Sequence, residues 1–121
     1  MELQSALDAM QIHKDALLDE GASNPSVISE NTHRLAQYIG VVEDRLSELE
    51  YELEIKESEK FQEYYADGMS VNASKEASKR YFTQERALIA KTQRQTTAGW
   101  KIVSESQSRV KHLIAEANNQ I

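Results

Sequence analysis

The sequence predicts an all-α protein: an elongated, coiled-coil-like antiparallel helical hairpin, preceded by a short N-terminal helix and assembled into a homo-oligomer. Three observations lead there. Gly (4) and Pro (1) are scarce among 121 residues and Cys is absent, while Glu, Ala, Ser, Gln and Lys dominate, the composition of long helices. Apolar residues in the middle of the chain recur at steps of four and three, the period of a helical seam. One strong breaker, Asp67-Gly68, divides the pattern into two long arms.

The first element occupies residues 1–20, where Leu3, Leu7, Met10, Leu17 and Leu18 recur near a helical period. The run Gly21-Ala22-Ser23-Asn24-Pro25 ends it and makes 21–25 a linker. Asn24 then suits an N-cap and Pro25 the first helical position, where its missing N–H costs nothing. A long hairpin over 26–121 follows, with helices at about 26–66 and 71–118. In the first of these, Ile28, Leu35, Ile39, Val42, Leu46, Leu49 and Leu53 form a stripe roughly 80° wide at about 100° per residue. So narrow a stripe is a coiled-coil seam. It falters at Glu57 and Lys60 and resumes at Phe61 and Tyr64.

Beyond the Asp-Gly turn no breaker occurs before Asn118 except Gly99, so one continuous third helix is expected. With Lys79 at zero, Ala77, Tyr81, Leu88, Ile102, Val103, Val110, Leu113, Ile114 and Ala117 fall in an arc from about 140° to 260°. Phe82, Ile89 and Trp100 lie at its edge. All nine Lys/Arg of residues 74–121 fall between about −40° and 120°. Apolar and basic faces are therefore opposed. Two helices of this length predict a hairpin ~60–70 Å long in which Gly40 and Gly99 face each other at a close approach. So thin a hairpin buries little apolar surface, so self-association through Leu35, Ile39, Val42, Leu46, Leu49, Leu53, Leu88, Val103, Val110 and Leu113 is expected.

The net charge of −6 conceals a division. Residues 1–73 hold five Lys/Arg against sixteen Asp/Glu, and residues 74–121 hold nine against four. The start, Met1-Glu2-Leu3, has no basic leader, and no apolar run approaches the ~20 residues that span a bilayer. With no Cys for disulfides, a soluble cytoplasmic protein without membrane contact is expected.

Catalytic signatures are missing: there is no Gly-rich phosphate loop, no HExxH and no Ser/His/Asp spacing. Glu30-Asn31-Thr32-His33 has the Glu-x-x-His form of carboxylate-bridged di-metal bundles, but such bundles need it twice. It reads here as a solvated helix start. Six Glu between 48 and 59 read as a solvated face, because catalytic carboxylates need differing environments. Asn72-Ala73-Ser74 matches a glycosylation acceptor by chance in a chain read as cytoplasmic. The expectation is a non-enzyme with no metal and no cofactor.

The basic face carries the functional signal. Single-stranded nucleic acid is held by cations along its backbone and by aromatic rings on which bases stack. Lys75, Lys79, Arg80, Arg86, Lys91, Arg94, Lys101, Arg109 and Lys111 supply the first, and Tyr81 and Trp100 the second. Local charge governs such binding even on an acidic protein, since screening acts within about 8–10 Å. The competing reading is a structural or protein-binding coiled coil, a phage assembly factor or an inhibitor of a host protein. There the acidic stretch 48–59 occupies some cations in salt bridges, and Trp100 simply packs.

The order of parts adds to this. A short N-terminal segment, a long charged helix ending in Tyr64-Tyr65-Ala66-Asp67-Gly68, a polar linker, and a long helix with Gly99-Trp100 near its middle resemble the UvsY type of phage recombination mediator over roughly residues 30–115. The resemblance implies a small helical homo-oligomer that binds single-stranded DNA and helps load a RecA-like recombinase onto strands coated by single-strand-binding protein. It carries the contact role to Lys79, Arg80, Arg86, Lys91, Arg94 and Lys101, with Tyr81 and Trp100 stacking or holding the helix. The acidity of residues 43–59 departs from the family pattern.

Overall fold

A computed structural model describes residues 1–19 and 23–119. Among them lie four helices and no strand: α1 (Leu3–Leu18), α2 (Pro25–Ala66), α3 (Val71–Tyr81) and α4 (Thr83–Asn119). The protein is all-α, as expected, and among the described residues no helix is long and apolar enough to cross a membrane. The predicted breaker at Gly21-Ala22 lies outside the described residues, and the rest of the predicted 21–25 linker differs only in that Pro25 opens α2. Asn24 Oδ1 accepts the Ser26 N–H at 3.0 Å, the N-cap geometry that satisfies an orphan helix donor. At the other end of α2, Gly68 adopts φ 99°. Its N–H bonds to Tyr65 O at 3.1 Å, and the Met69 N–H bonds to Tyr64 O at 3.2 Å. This paired closure of a helix end needs a left-handed residue at its centre, hence the glycine. Ser70 then caps α3 by accepting the Ala73 N–H at 3.1 Å.

The chain packs as two units, one of Met1–Arg45 with Arg94–Ile121 and one of Leu46–Gln93. In the first, α1 packs with the opening of α2 and the latter part of α4. Its core holds Ala6, Met10, Leu17, Ile28, Leu35, Ile39, Val42 and Val103. His13 stacks on Tyr38 at 5.6 Å between ring centroids, and its Nδ1 lies 2.9 Å from Asn31 Oδ1. The Arg45 guanidinium donates to the Met1 carbonyl at 3.0 Å. The second unit holds the rest of α2, α3 and the start of α4, and it is sparser. Its buried apolar residues are Leu46 and Ile89, accompanied by Ser74, Ser78 and Thr92. Glu57 meets Arg86 and Glu50 meets Gln93, so α2 and α4 run in opposite directions there.

Three expectations are corrected. The helix from residue 71 is not continuous, because it breaks at Phe82, with φ −106° and ψ 29°. Thr83 Oγ1 donates to the Arg80 carbonyl at 2.7 Å, and the Phe82 N–H reaches back only three residues, to Lys79 O at 3.3 Å. A threonine hydroxyl that takes a nearby carbonyl competes with the helical ladder. The break shifts which residues face inward in early α4. Leu88, expected in the seam, is 50% exposed, and Ile89 is 8% exposed in its place. From Ile89 the inward positions proceed in steps of three and four through Thr92, Thr96, Gly99, Val103, Ser106, Val110 and Leu113. The seam is thus partly small and polar, and Thr92 settles its buried hydroxyl by donating to Leu88 O at 2.8 Å. The third correction is the glycine pair. Nothing lies within 4 Å of a side chain built at Gly40, whereas one at Gly99 would meet Ile39 Cδ1 at 2.8 Å and Met10 Cε at 3.4 Å. Gly99 does mark a close approach, but to side chains of α1 and α2 and not to Gly40.

Candidate nucleic-acid interface

In the second unit, α3 turns Ser74 and Ser78 inward and leaves Lys75, Lys79 and Arg80 exposed. Small residues spaced four apart let the helix sit close to its neighbours, while the cations one place further along stay in water. Tyr81 ends this helix and is 60% exposed. Phe82 packs edge-on against it, with centroids 5.0 Å apart at 75°. Lys60 of α2 places its Nζ 4.2 Å from the centre of the Tyr81 ring and 5.2 Å from that of Tyr64. A hydrogen bond to Glu63 raises the Lys60 ammonium above its ordinary value of 10.5; the nearby Glu63, Tyr64 and Tyr81 also raise it, and desolvation pulls it down. Tyr65 stacks on Phe61 at 6.1 Å. Arg86 is occupied, since its guanidinium rests on the Glu57 carboxylate, and Lys91 is exposed.

In the first unit, Arg94 and Lys101 are exposed on α4. Trp100 between them is 42% exposed. Its indole N–H donates to Glu43 Oε1 at 2.9 Å, so the ring neither packs in the core nor stands free of α2. Lys111 borders a shallow groove with Ser29, His33 and Gln107. Arg109 is half-buried in another, with Leu17, Leu18 and Asp19, and is already engaged. Glu30, the acid of the metal-like pattern, pairs with Arg34 at 3.1 Å.

Among the described residues, Lys75, Lys79, Arg80, Lys91, Arg94, Lys101 and Lys111 have no acidic partner. Acids of α2 engage α4 within each unit: Glu43 takes Trp100 in the first, and in the second Glu50 takes Gln93 at 2.6 Å and Glu57 takes Arg86. Sequence reasoning did not single out Lys60, Tyr64 or Glu43 as parts of the site. The signal for Lys60 was present as the point where the apolar seam falters. A lysine at an inward position between Leu53 and Tyr64 needs something to receive its charge, and aromatic rings do so.

Comparison of the chain with family models, with curated proteins and with solved structures finds no match.

Proposed function

We propose that the protein binds single-stranded DNA as an accessory factor in phage-type homologous recombination, helping to load a RecA-like recombinase where single-strand-binding protein coats the strand. The observation that carries this reading is the set of exposed cations on α3 and α4 without acidic partners, accompanied by partly exposed aromatic rings. Phosphates along a strand need such cations, and unpaired bases need such rings. The reading places the protein in the host cytoplasm as a homo-oligomer. Each chain contributes a weak site, and several sites tethered on one strand raise avidity.

A second reading has an observation of its own. The contacts of Glu50 and Glu57 with Gln93 and Arg86 of α4 in the second unit are what a structural or protein-binding coiled coil would use to fix register. Reversing charge at Arg94 and Lys101 separates the two. On the strand-binding reading, Arg94→Glu with Lys101→Glu weakens binding of a fluorescent single-stranded oligonucleotide. It also flattens the salt dependence by about 1.4 in log K per log salt, at ~0.7 for each phosphate that is no longer neutralised. Light scattering then finds the assembly unchanged. A dissociated assembly, or an intact one with unchanged affinity and salt slope, refutes the strand-binding role.

A further inference from the structure

Among the exposed rings, Tyr81 is both held and open. Lys60 Nζ lies over the ring at 4.2 Å, Phe82 abuts it at 75°, and 60% of the residue remains in water. The other exposed rings differ: Tyr65, 51% exposed, is stacked on Phe61 but has no cation over its face among the described residues. Trp100 has its N–H on the Glu43 carboxylate and no cation over its ring among the described residues, whereas the carboxylate near Tyr81, that of Glu63, is paired with Lys60. Tyr51, also exposed, lies in sequence between Glu50 and Glu52 and has neither a stacked ring nor a cation over its face among the described residues.

A ring fixed before the ligand arrives loses little conformational freedom on binding, which favours affinity. Its geometry also suits a planar ligand: one side is set by an ammonium, and the rest is available for offset stacking. Lys79 and Arg80 immediately precede Tyr81, exposed and without an acidic partner among the described residues. They supply positive charge beside the ring, where the phosphates flanking a stacked base would run.

We propose that Tyr81 is a stacking platform for an unpaired nucleobase, that Lys79 and Arg80 receive the flanking phosphates, and that Lys60 is a positioning residue that holds the ring. The site deepens the strand-binding reading and rests on it. Lys60 does not touch the strand; it acts through Tyr81, and the Glu63 hydrogen bond fixes the ammonium in turn.

The test compares two fluorescent probes of equal length, a single-stranded oligodeoxynucleotide and an abasic deoxyribose-phosphate oligomer. The native chain binds the base-bearing probe roughly tenfold more tightly, the order expected for stacking on one ring. Tyr81→Ala removes that preference while circular dichroism retains the native helicity, and Tyr81→Phe keeps it. Lys60→Gln reduces the preference and Lys60→Arg restores it, which a purely charge-based contact with the strand would not do, since both probes carry the same phosphates. As a measurement independent of Tyr81→Ala, a Tyr81→Trp, Trp100→Phe chain reports stacking directly, by quenching when the base-bearing probe is added. Retention of the native preference by Tyr81→Ala, or absence of quenching in the tryptophan chain, overturns the site but leaves strand binding standing. Failure of the native chain to bind either probe at low salt overturns strand binding itself, and the site with it.

Discussion

Replacing each of two helical glycines by alanine is expected to shift stability in opposite directions. Gly40 has nothing within 4 Å of the place a methyl group would occupy. Gly40→Ala therefore gains helix propensity alone and stabilises the fold by about 0.5–1 kcal/mol. Gly99 has Ile39 Cδ1 at 2.8 Å, Ile39 Cγ1 at 3.2 Å and Met10 Cε at 3.4 Å from the same point. Ile39 and Met10 are 0% and 2% exposed, so neither can swing aside into water. Overpacking of this kind costs about 1–3 kcal/mol, and alanine returns about 1 kcal/mol of propensity. Gly99→Ala thus loses about 0–2 kcal/mol, and the two variants differ by about 0.5–3 kcal/mol. Urea unfolding followed by far-ultraviolet circular dichroism measures this, and in thermal scans each 1 kcal/mol moves Tm by about 3–6 °C for a chain of this size. The cause is tested by Ile39→Val, which deletes Cδ1. Alone it costs about 0.5–1.5 kcal/mol, but in the Gly99→Ala chain it costs less or restores stability. Equal stabilisation by both alanines, or strict additivity of Ile39→Val with Gly99→Ala, would refute the close approach at Gly99.

Other expectations follow from local geometry. Ser70→Ala removes the cap on the Ala73 N–H and lowers stability by about 1 kcal/mol in the same urea assay; no change would mean that the cap is dispensable. Because the Lys60 pKa is raised, the stabilisation that comes with its charge is complete below the ordinary value of 10.5 and is lost only as pH climbs through the raised one. The difference in tyrosine near-ultraviolet dichroism between the native chain and Lys60→Met is therefore constant between about pH 6 and pH 9; a drift of that difference within the range contradicts the assignment. Amide hydrogen exchange is expected to be faster for residues 46–93 than for the helices around Ile39 and Val103, since opening free energy follows local apolar burial. Uniform protection would argue against two units of unequal strength.

The helices were legible because their signals are local. Asn24-Pro25 and Asp67-Gly68 carry start and stop chemistry within a few bonds, and the four-three spacing of Leu35, Ile39, Val42 and Leu46 defines a buried face without reference to any partner. The break at Phe82 was not legible, because it turns on whether the Thr83 hydroxyl takes the Arg80 carbonyl, a choice that composition leaves open. Thr92, Thr96 and Ser106 escaped an apolar count for a different reason. Short hydroxyl side chains can bond to their own helix and then sit in a core where two backbones are close. The cationic face was read as a set of angles on one unbroken helix, which the break at Phe82 interrupts, and which cations have partners depends on the acids that α2 brings alongside. Arg86 found Glu57 and Lys79 found none among the described residues.

The uneven core bears on function. In the second unit the inward positions of α3 are Ser74 and Ser78, the buried apolar residues are Leu46 and Ile89, and the rings of Tyr65, Tyr81 and Tyr51 face water. Turning those rings inward would strengthen the unit, since each aromatic side chain buries a large apolar area. Keeping Tyr81 outward, next to cations that have no acid to neutralise them, is a loss of stability that a ligand can offset, and a ligand that binds the folded form does so in proportion to its concentration. Sites that bind commonly carry this kind of local cost. The same reasoning sets the small polar seam apart from the exposed rings. Thr92 and Ser78 lose little by being buried, because each hydroxyl bonds to its own helix, so they are explained by packing. For exposed Tyr81 under Lys60 the occupant we propose is a stacked base, whose planar shape suits the open part of the ring.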